Sequence, residues 1–144
     1  MGQLICGFHY LTAGTPFARD AEVVCHPDLG QHNIVFQGDR AVAIIDWDED
    51  VAPGARIFDF AHAVWCLAEI GERGGAVADQ ARRVRIVSDA YGWEDRAALI
   101  AEIEARFRRA LAHAEENQLH EAVRIWSRML DWIVEHGPAL KAHL

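Results

Sequence analysis

Apolar residues recur in two rhythms along the chain, a short β-like one before Gly54 and a helical one after it. Val23-Val24-Cys25 is a brief apolar run that leads into His26-Pro27-Asp28. Ile34-Val35-Phe36 follows, then a turn signal at Gly38-Asp39, then Ala41-Val42-Ala43-Ile44-Ile45. Two β-rich runs around a Gly-Asp turn predict a hairpin. The second run is continuously apolar, which predicts a strand covered on both faces.

After Gly54 the spacing predicts four helices. The first is opened by Asp59 as N-cap, carries Phe60, Val64, Trp65 and Leu67, and ends near Gly71. The second spans about Val77 to Tyr91, with Gly92 placed to stop it. The third follows Glu94-Asp95, with acidic residues in the first turn as a helix dipole favours, and has a stripe of Leu99, Ile103, Phe107, Ala110 and Ala114. The fourth carries Leu119, Val123, Trp126, Leu130 and Ile133 and is stopped by Gly137-Pro138. These stripes, tryptophans included, read as core, and the Arg and Glu runs between them as solvated faces. The expected class is α+β, mostly helical, with one small hairpin.

Ahead of the hairpin, Gln3 to Leu11 reads as the end of a helix with no start signal, and Thr12 to Ala18 as loop. Residues 1–22 are therefore expected to be the remnant of a preceding helix and loop, and residues 23–144 the main domain.

Composition narrows the partners. Hydrophobic residues make up 51% and charged residues 25% of the 144, which predicts a packed core rather than disorder. A formal net charge of -8 argues against a nucleic-acid partner and suits a cationic or metal-bridged ligand. Cys6, Cys25 and Cys66 lack the spacing of a disulfide framework or zinc ribbon, so reduced thiols in a cytoplasmic protein are expected. No signal-peptide pattern and no apolar run of membrane-spanning length is present, so neither export nor a membrane is expected.

The chemistry concentrates in His26-Pro27-Asp28-Leu29-Gly30-Gln31-His32-Asn33 and in Ile45-Asp46-Trp47-Asp48. Asp28 sits in a tight loop between apolar runs. Asn33 stands where the loop enters the first hairpin strand, and Asp46 where the second strand ends. A hairpin sets the entrance of one strand beside the exit of the other, so Asn33 and Asp46 are expected to be neighbours, with Asp28 close by. An amide oxygen and a carboxylate form the hard-oxygen set that Mg²⁺ prefers, and a separate loop carboxylate can accept a hydroxyl proton. Taken singly these residues have plainer readings: Asp28 as a turn cap, Asp46 and Asp48 as solvated strand ends, His26 as a hydrogen-bonded structural residue.

The ordered pattern H-x-D-x-x-x-x-N, then I-D-W-D, then D-F-A at Asp59-Phe60-Ala61, resembles the aminoglycoside phosphotransferase family and its choline-kinase-like relatives. The motif-bearing match covers about residues 23 to 65. The resemblance implies that residues 23–144 form a protein-kinase-like C-terminal lobe. It implies transfer of a γ-phosphoryl group from ATP or GTP, with Mg²⁺, to a small-molecule hydroxyl on an aminoglycoside, amino-sugar or amino-alcohol. It implies Asp28 as catalytic base, Asn33 and Asp46 as Mg²⁺ ligands, and His26 as a brace inside the loop. Asp59 would hold that loop through backbone N–H groups, and Asp48 would add charge at the metal or substrate edge.

Two departures stand beside the resemblance. Proline at position 27 replaces the small residue usual between the His and the Asp, and removes a backbone donor. The only lysine is Lys141, and no glycine-rich hairpin precedes the loop, so a nucleotide-gripping N-lobe is expected to be missing. The chain is then a fragment, borrows that lobe from a partner, or is a non-catalytic relic; an exposed apolar edge would pair with a second copy or another chain. A metal-dependent hydrolase is a further alternative. Cys25-His26 as a thiol site, Cys25, His26 and His32 as a zinc site, and Gly71–Gly75 as a phosphate loop all fit worse; the last reads as a turn. The triplet Asp48-Glu49-Asp50 reads either as a polyamine attractor or as an exposed loop.

Overall fold

A computed structural model describes residues 1–47 and 51–144. Helix α1 (Gly2–Thr12) precedes strand β1 (Val23–Cys25), the loop that carries His26 to Asn33, and the hairpin strands β2 (Ile34–Gln37) and β3 (Arg40–Ile44). Strand β4 (Ala52–Gly54) leads into helices α2 (Arg56–Leu67), α3 (Val77–Tyr91), α4 (Arg96–Glu116) and α5 (His120–Ala142). The fold is α+β and mostly helical. Among the described residues no helix is long and apolar enough to cross a membrane.

The two sheets are antiparallel pairs, β1 with β4 and β2 with β3, with a register shift between Val35 and Phe36. Strand β4 has no counterpart in the apolar pattern. Its centre is Pro53, which donates no ladder bond and is tolerated because β4 pairs with a single strand among the described residues. Strand β3 is not covered on both faces as its apolar run suggests. Its only partner among the described residues is β2, and Val42 remains 41% exposed and neighbouring Ile45 45%. An apolar run signals low affinity for water, but it takes a second layer to bury both faces.

Helix α2 is the centre of the core. Phe60, Ala63 and Val64 are fully buried, packed with Val84 of α3, Leu99, Ile103 and Phe107 of α4, and Ile133 and Leu140 of α5. Helix α1 lies so close to α3 that a side chain at Gly2 would meet the Val87 carbonyl at 2.5 Å.

Three helix boundaries differ from the sequence pattern. Helix α2 begins at Arg56, not Asp59, and its N-cap Ala55 has no side-chain cap. Glu22 takes over that task from outside the helix, accepting the Arg56 N–H at 2.9 Å, which leaves Asp59 free for other partners. Helix α4 follows Glu94-Asp95 as its pattern predicts, but its first turn holds no acidic residue: Asp95 is the N-cap and accepts the Ala98 N–H at 3.0 Å. Helix α5 runs through Gly137-Pro138 to Ala142 because Leu140, fully buried, ties the last turn to the core. Leu119 is the exposed N-cap of that helix rather than part of its stripe. Helix α3, by contrast, has the boundaries its pattern predicts, with Gly92 closing it in the left-handed conformation at φ 88°.

Candidate active site

The His26–Asn33 loop is held by hydrogen bonds from three sides. Asp59, in α2 and wholly shielded from water, accepts the His26 backbone N–H on Oδ1 at 2.9 Å. Its Oδ2 meets His9 Nε2 of α1 at 2.8 Å, and the other nitrogen of His9 meets the Tyr91 hydroxyl of α3 at 2.7 Å. One buried carboxyl therefore links α1, α2 and the loop. The His26 ring, itself buried, donates from Nε2 to the Ile45 carbonyl at 2.9 Å and accepts the Asp28 N–H on Nδ1 at 3.3 Å. Those two bonds define the tautomer and staple the loop to the end of β3. On the third side Arg106 of α4 donates to the Pro27 carbonyl at 3.2 Å. Proline removes an N–H here, but its carbonyl gives α4 a grip.

Asp28 stands at the rim, its side chain 57% exposed. Its Oδ2 accepts from His32 Nε2 at 2.9 Å and from the Asn33 amide at 3.1 Å, and its Oδ1 lies 3.6 Å from His62 Nε2. Burial pushes the carboxyl up. The hydrogen bonds from His32 and Asn33 and the nearby His32 and His62 rings outweigh it, and the net shift is below the ordinary carboxylate value. An ionised oxygen at neutral pH is the form a base requires.

Asn33 is buried, and its NH₂ is committed to the Asp28 carbonyl at 2.8 Å and the Asp28 carboxyl at 3.1 Å. Both donors of the amide thus face Asp28, which leaves its carbonyl oxygen for a cation. The Ile45 N–H donates to the Asn33 carbonyl at 2.9 Å, so Asp46 follows directly after the residue that pairs with Asn33. Asp46 is exposed and sits at φ 65°, a left-handed conformation that costs most residues energy. An amide oxygen and an exposed carboxylate at adjoining strand ends are a donor set that fits Mg²⁺, with its remaining positions left to water and phosphate. Among the described residues no three His, Cys, Asp or Glu side chains form a closed metal cage. Asp48 and the Asp48-Glu49-Asp50 triplet lie outside the described residues.

Several contributors carry no motif. His9 shows no signal in the sequence. His62 and Cys66 follow Asp59 at helical spacing, three and seven residues on, which sets all three on one face of α2. His62 Nδ1 is buried without a hydrogen-bond partner, and burial lowers its pKa to about 4. Cys66 Sγ lies 3.5 Å from His62 Nε2, and burial raises the thiol to about 11; Cys25, raised to about 12 by burial, donates to the Ala55 carbonyl at 3.6 Å. Both thiols are protonated at neutral pH and make poor nucleophiles. Trp47 closes the site from α1's side, packed against Phe8 and His26 with ring centroids 4.7 Å apart in each case.

A cavity of about 630 Å³ opens beside the loop, lined among others by Gly30, His32, Trp65, Cys66, Phe107 and Trp132. The glycine-rich turn after α2 forms one wall. Fully buried Gln80 holds it, accepting the Gly71 N–H at 3.0 Å and donating to the Gly71 and Gly75 carbonyls at 2.9 Å each. Residue 74 must be glycine, since a Cβ there would lie 1.9 Å from the Glu69 carbonyl. The segment is a turn, as its sequence suggests, but it also shapes a cavity.

Comparison with known proteins gives one match. The model of a family described as the phosphotransferase enzyme family matches residues 8–126. No curated protein and no solved structure matches the chain.

Two outcomes follow from this geometry. Asp59→Ala leaves the His26 N–H and the Nε2 of His9 buried without partners, and urea titration should show a loss of about 3–5 kcal/mol; a loss under about 1 kcal/mol would contradict the linking role. His62 has a lower pKa in the folded chain, about 4 against 6.5, so between those values the unfolded chain holds a proton that the folded one refuses. Stability should be unaffected by this group above pH 6.5 and fall as pH drops from there toward 4. Melts at pH 7 and pH 5 should show wild type losing on the order of 2 kcal/mol more than His62→Gln. Equal losses would contradict it.

Proposed function

The chain belongs to the phosphotransferase enzyme family, and from that membership we propose that it transfers the γ-phosphoryl group of a nucleoside triphosphate, ATP or GTP, to a small-molecule hydroxyl. The observation that carries this reading is the union of Asp28 and Asn33, joined at 3.1 Å in a loop whose Gly30, Gln31 and His32 line a cavity and whose His26 N–H is held by Asp59. On this reading the fold is the C-terminal lobe of a kinase-like enzyme.

The acceptor lies in the cavity with its hydroxyl at Asp28. Its oxygen bonds to the γ-phosphorus as the bond from that phosphorus to the bridging oxygen breaks. The hydroxyl proton passes to Asp28, and the nucleoside diphosphate leaves. Asn33, through its amide oxygen, and Asp46 are the residues that would hold Mg²⁺. When bound, that ion neutralises charge developing on the phosphate oxygens. His26 and Arg106 act on the loop rather than on the reactants, keeping Asp28 in place so that little reorganisation is needed during transfer.

The 144 residues hold no lysine ahead of the loop to meet the phosphates. A phosphate grip supplied by a partner lobe would find apolar surface at Phe36 and Val42 of the hairpin and at Ile45 just past it, all exposed. The same lack of lysine favours a second reading, a non-catalytic domain that keeps the fold.

Transfer from labelled ATP or GTP to a panel of alcohols separates the two, measured on the chain alone and joined to a nucleotide-binding lobe. Asp28→Asn should lower the rate by about 10²–10⁴. Asp46→Gly should abolish transfer while leaving stability unchanged or raising it by about 1 kcal/mol, because glycine adopts the left-handed conformation freely. Full turnover by Asp28→Asn would sink the base assignment. No transfer in either form, with no nucleotide bound, would favour the non-catalytic reading.

A further inference from the structure

The charges around the cavity bear on what enters it. The chain as a whole carries an excess of eight negative charges, but the described lining does not share it. Glu69 and Glu72 are its carboxylates, and Arg73 and Arg128 its guanidiniums. Glu72 lies 3.5 Å from Arg128, and Glu69 lies 3.9 Å from Arg83 behind the wall. Each carboxylate therefore has an arginine beside it. Arg73 has no acidic partner among the described residues, and its charge offsets that of ionised Asp28 beside the cavity, so the cavity and its rim are close to charge balance.

The walls are apolar and held in place. Trp65 meets Phe107 edge-on at 5.1 Å, and both rest on Trp126 behind them. Trp132 is stacked on His136 at 4.7 Å, and Ile125 and Met129 of the same helix complete that side. Opposite, the turn after α2 is locked by Gln80 and by Arg83, which donates to the Ala68 and Gly74 carbonyls. A cavity near 630 Å³ with fixed aromatic walls admits a ligand of several rings without rearranging. A polyamine there would take several ammonium groups out of water with few free carboxylates among the described lining to receive them, and would have to separate existing ion pairs to find more.

We infer that the acceptor is an alcohol on a largely apolar, ring-bearing body of low net charge, and not a polycationic aminoglycoside. This rests on the phosphotransferase reading for the word acceptor, and on the cavity alone for the chemistry of the body. Arg73 is placed to meet one anionic or polar substituent at the rim.

Binding to the purified chain tests it without any turnover. Two probes are compared by tryptophan fluorescence at low salt: 2-(2-naphthyl)ethanol, neutral and apolar, and kanamycin A, a polycation. The naphthyl alcohol should bind at least about tenfold more tightly. Ile125, 45% exposed, can be changed to Asp with little effect on folding, and Ile125→Asp should weaken naphthyl binding about tenfold with an unchanged melting temperature. Tighter binding of kanamycin A, binding of neither probe, or naphthyl binding indifferent to Ile125→Asp would each overturn the inference. The preference of wild type for one probe stands even if the variant fails to fold. Naphthyl binding with no phosphate transfer to any hydroxyl supports the cavity chemistry and counts against the phosphotransferase reading instead; phosphorylation of kanamycin A does the reverse.

Discussion

A single shielded carboxyl sets the geometry of the site. Asp59 divides its two oxygens between the backbone of the His26 loop and the ring of His9, at 2.9 and 2.8 Å. A carboxyl removed from water is tolerable only when its oxygens are matched by donors, so each of its contacts constrains the others. The loop cannot drift without unpairing Asp59, and α1 cannot lift away without unpairing it from the other side. Tyr91 extends the chain of bonds into α3. Glu22 makes the arrangement possible, because it satisfies the first turn of α2 and leaves Asp59 free to face inward.

From that anchor the rest of the site follows by short steps. His26 carries the constraint from the loop to the end of β3 through the Ile45 carbonyl, and the Ile45 N–H returns it to Asn33. Asn33 directs its amide hydrogens to Asp28, so the carboxylate at the rim is positioned by a residue whose own amide oxygen has no partner among the described residues. The strand ends where Asp46 takes a left-handed turn, a conformation that persists only because its surroundings enforce it. Behind the loop, His62 faces Asp28 while burial holds it unprotonated near neutral pH. The cavity next to these groups is largely apolar and locally balanced in charge, although the chain as a whole carries a formal net charge of -8.

How much of this could be read from the chain depended on how local the cause was. The hairpin around Gly38-Asp39 and the exact span of α3 with its Gly92 stop are legible because adjoining residues decide them. The match to the family was legible as well, since it rests on motif order and spacing. The boundary of α2 was not, because its cap is Glu22, distant in sequence. Helix α5 passes through Gly137-Pro138 because burial of Leu140 outweighs local propensity, and β3 is half exposed because no second layer covers it. His9 and Arg106 reach the loop from helices far along the chain and leave no local trace. His62 left one, its helical spacing from Asp59, which only a known helix register makes meaningful.

The central claim is that Asn33 and Asp46 hold one divalent cation beside Asp28. Manganese, a paramagnetic stand-in for magnesium, tests it most directly when titrated into isotopically labelled chain and followed by amide resonances. The account predicts that the Asn33 side-chain amide and the Ile45 and Asp46 backbone signals broaden first, and that Asp46→Asn sharply reduces the effect. Broadening spread over the acidic surface, with those three signals no more affected than the rest, would contradict it.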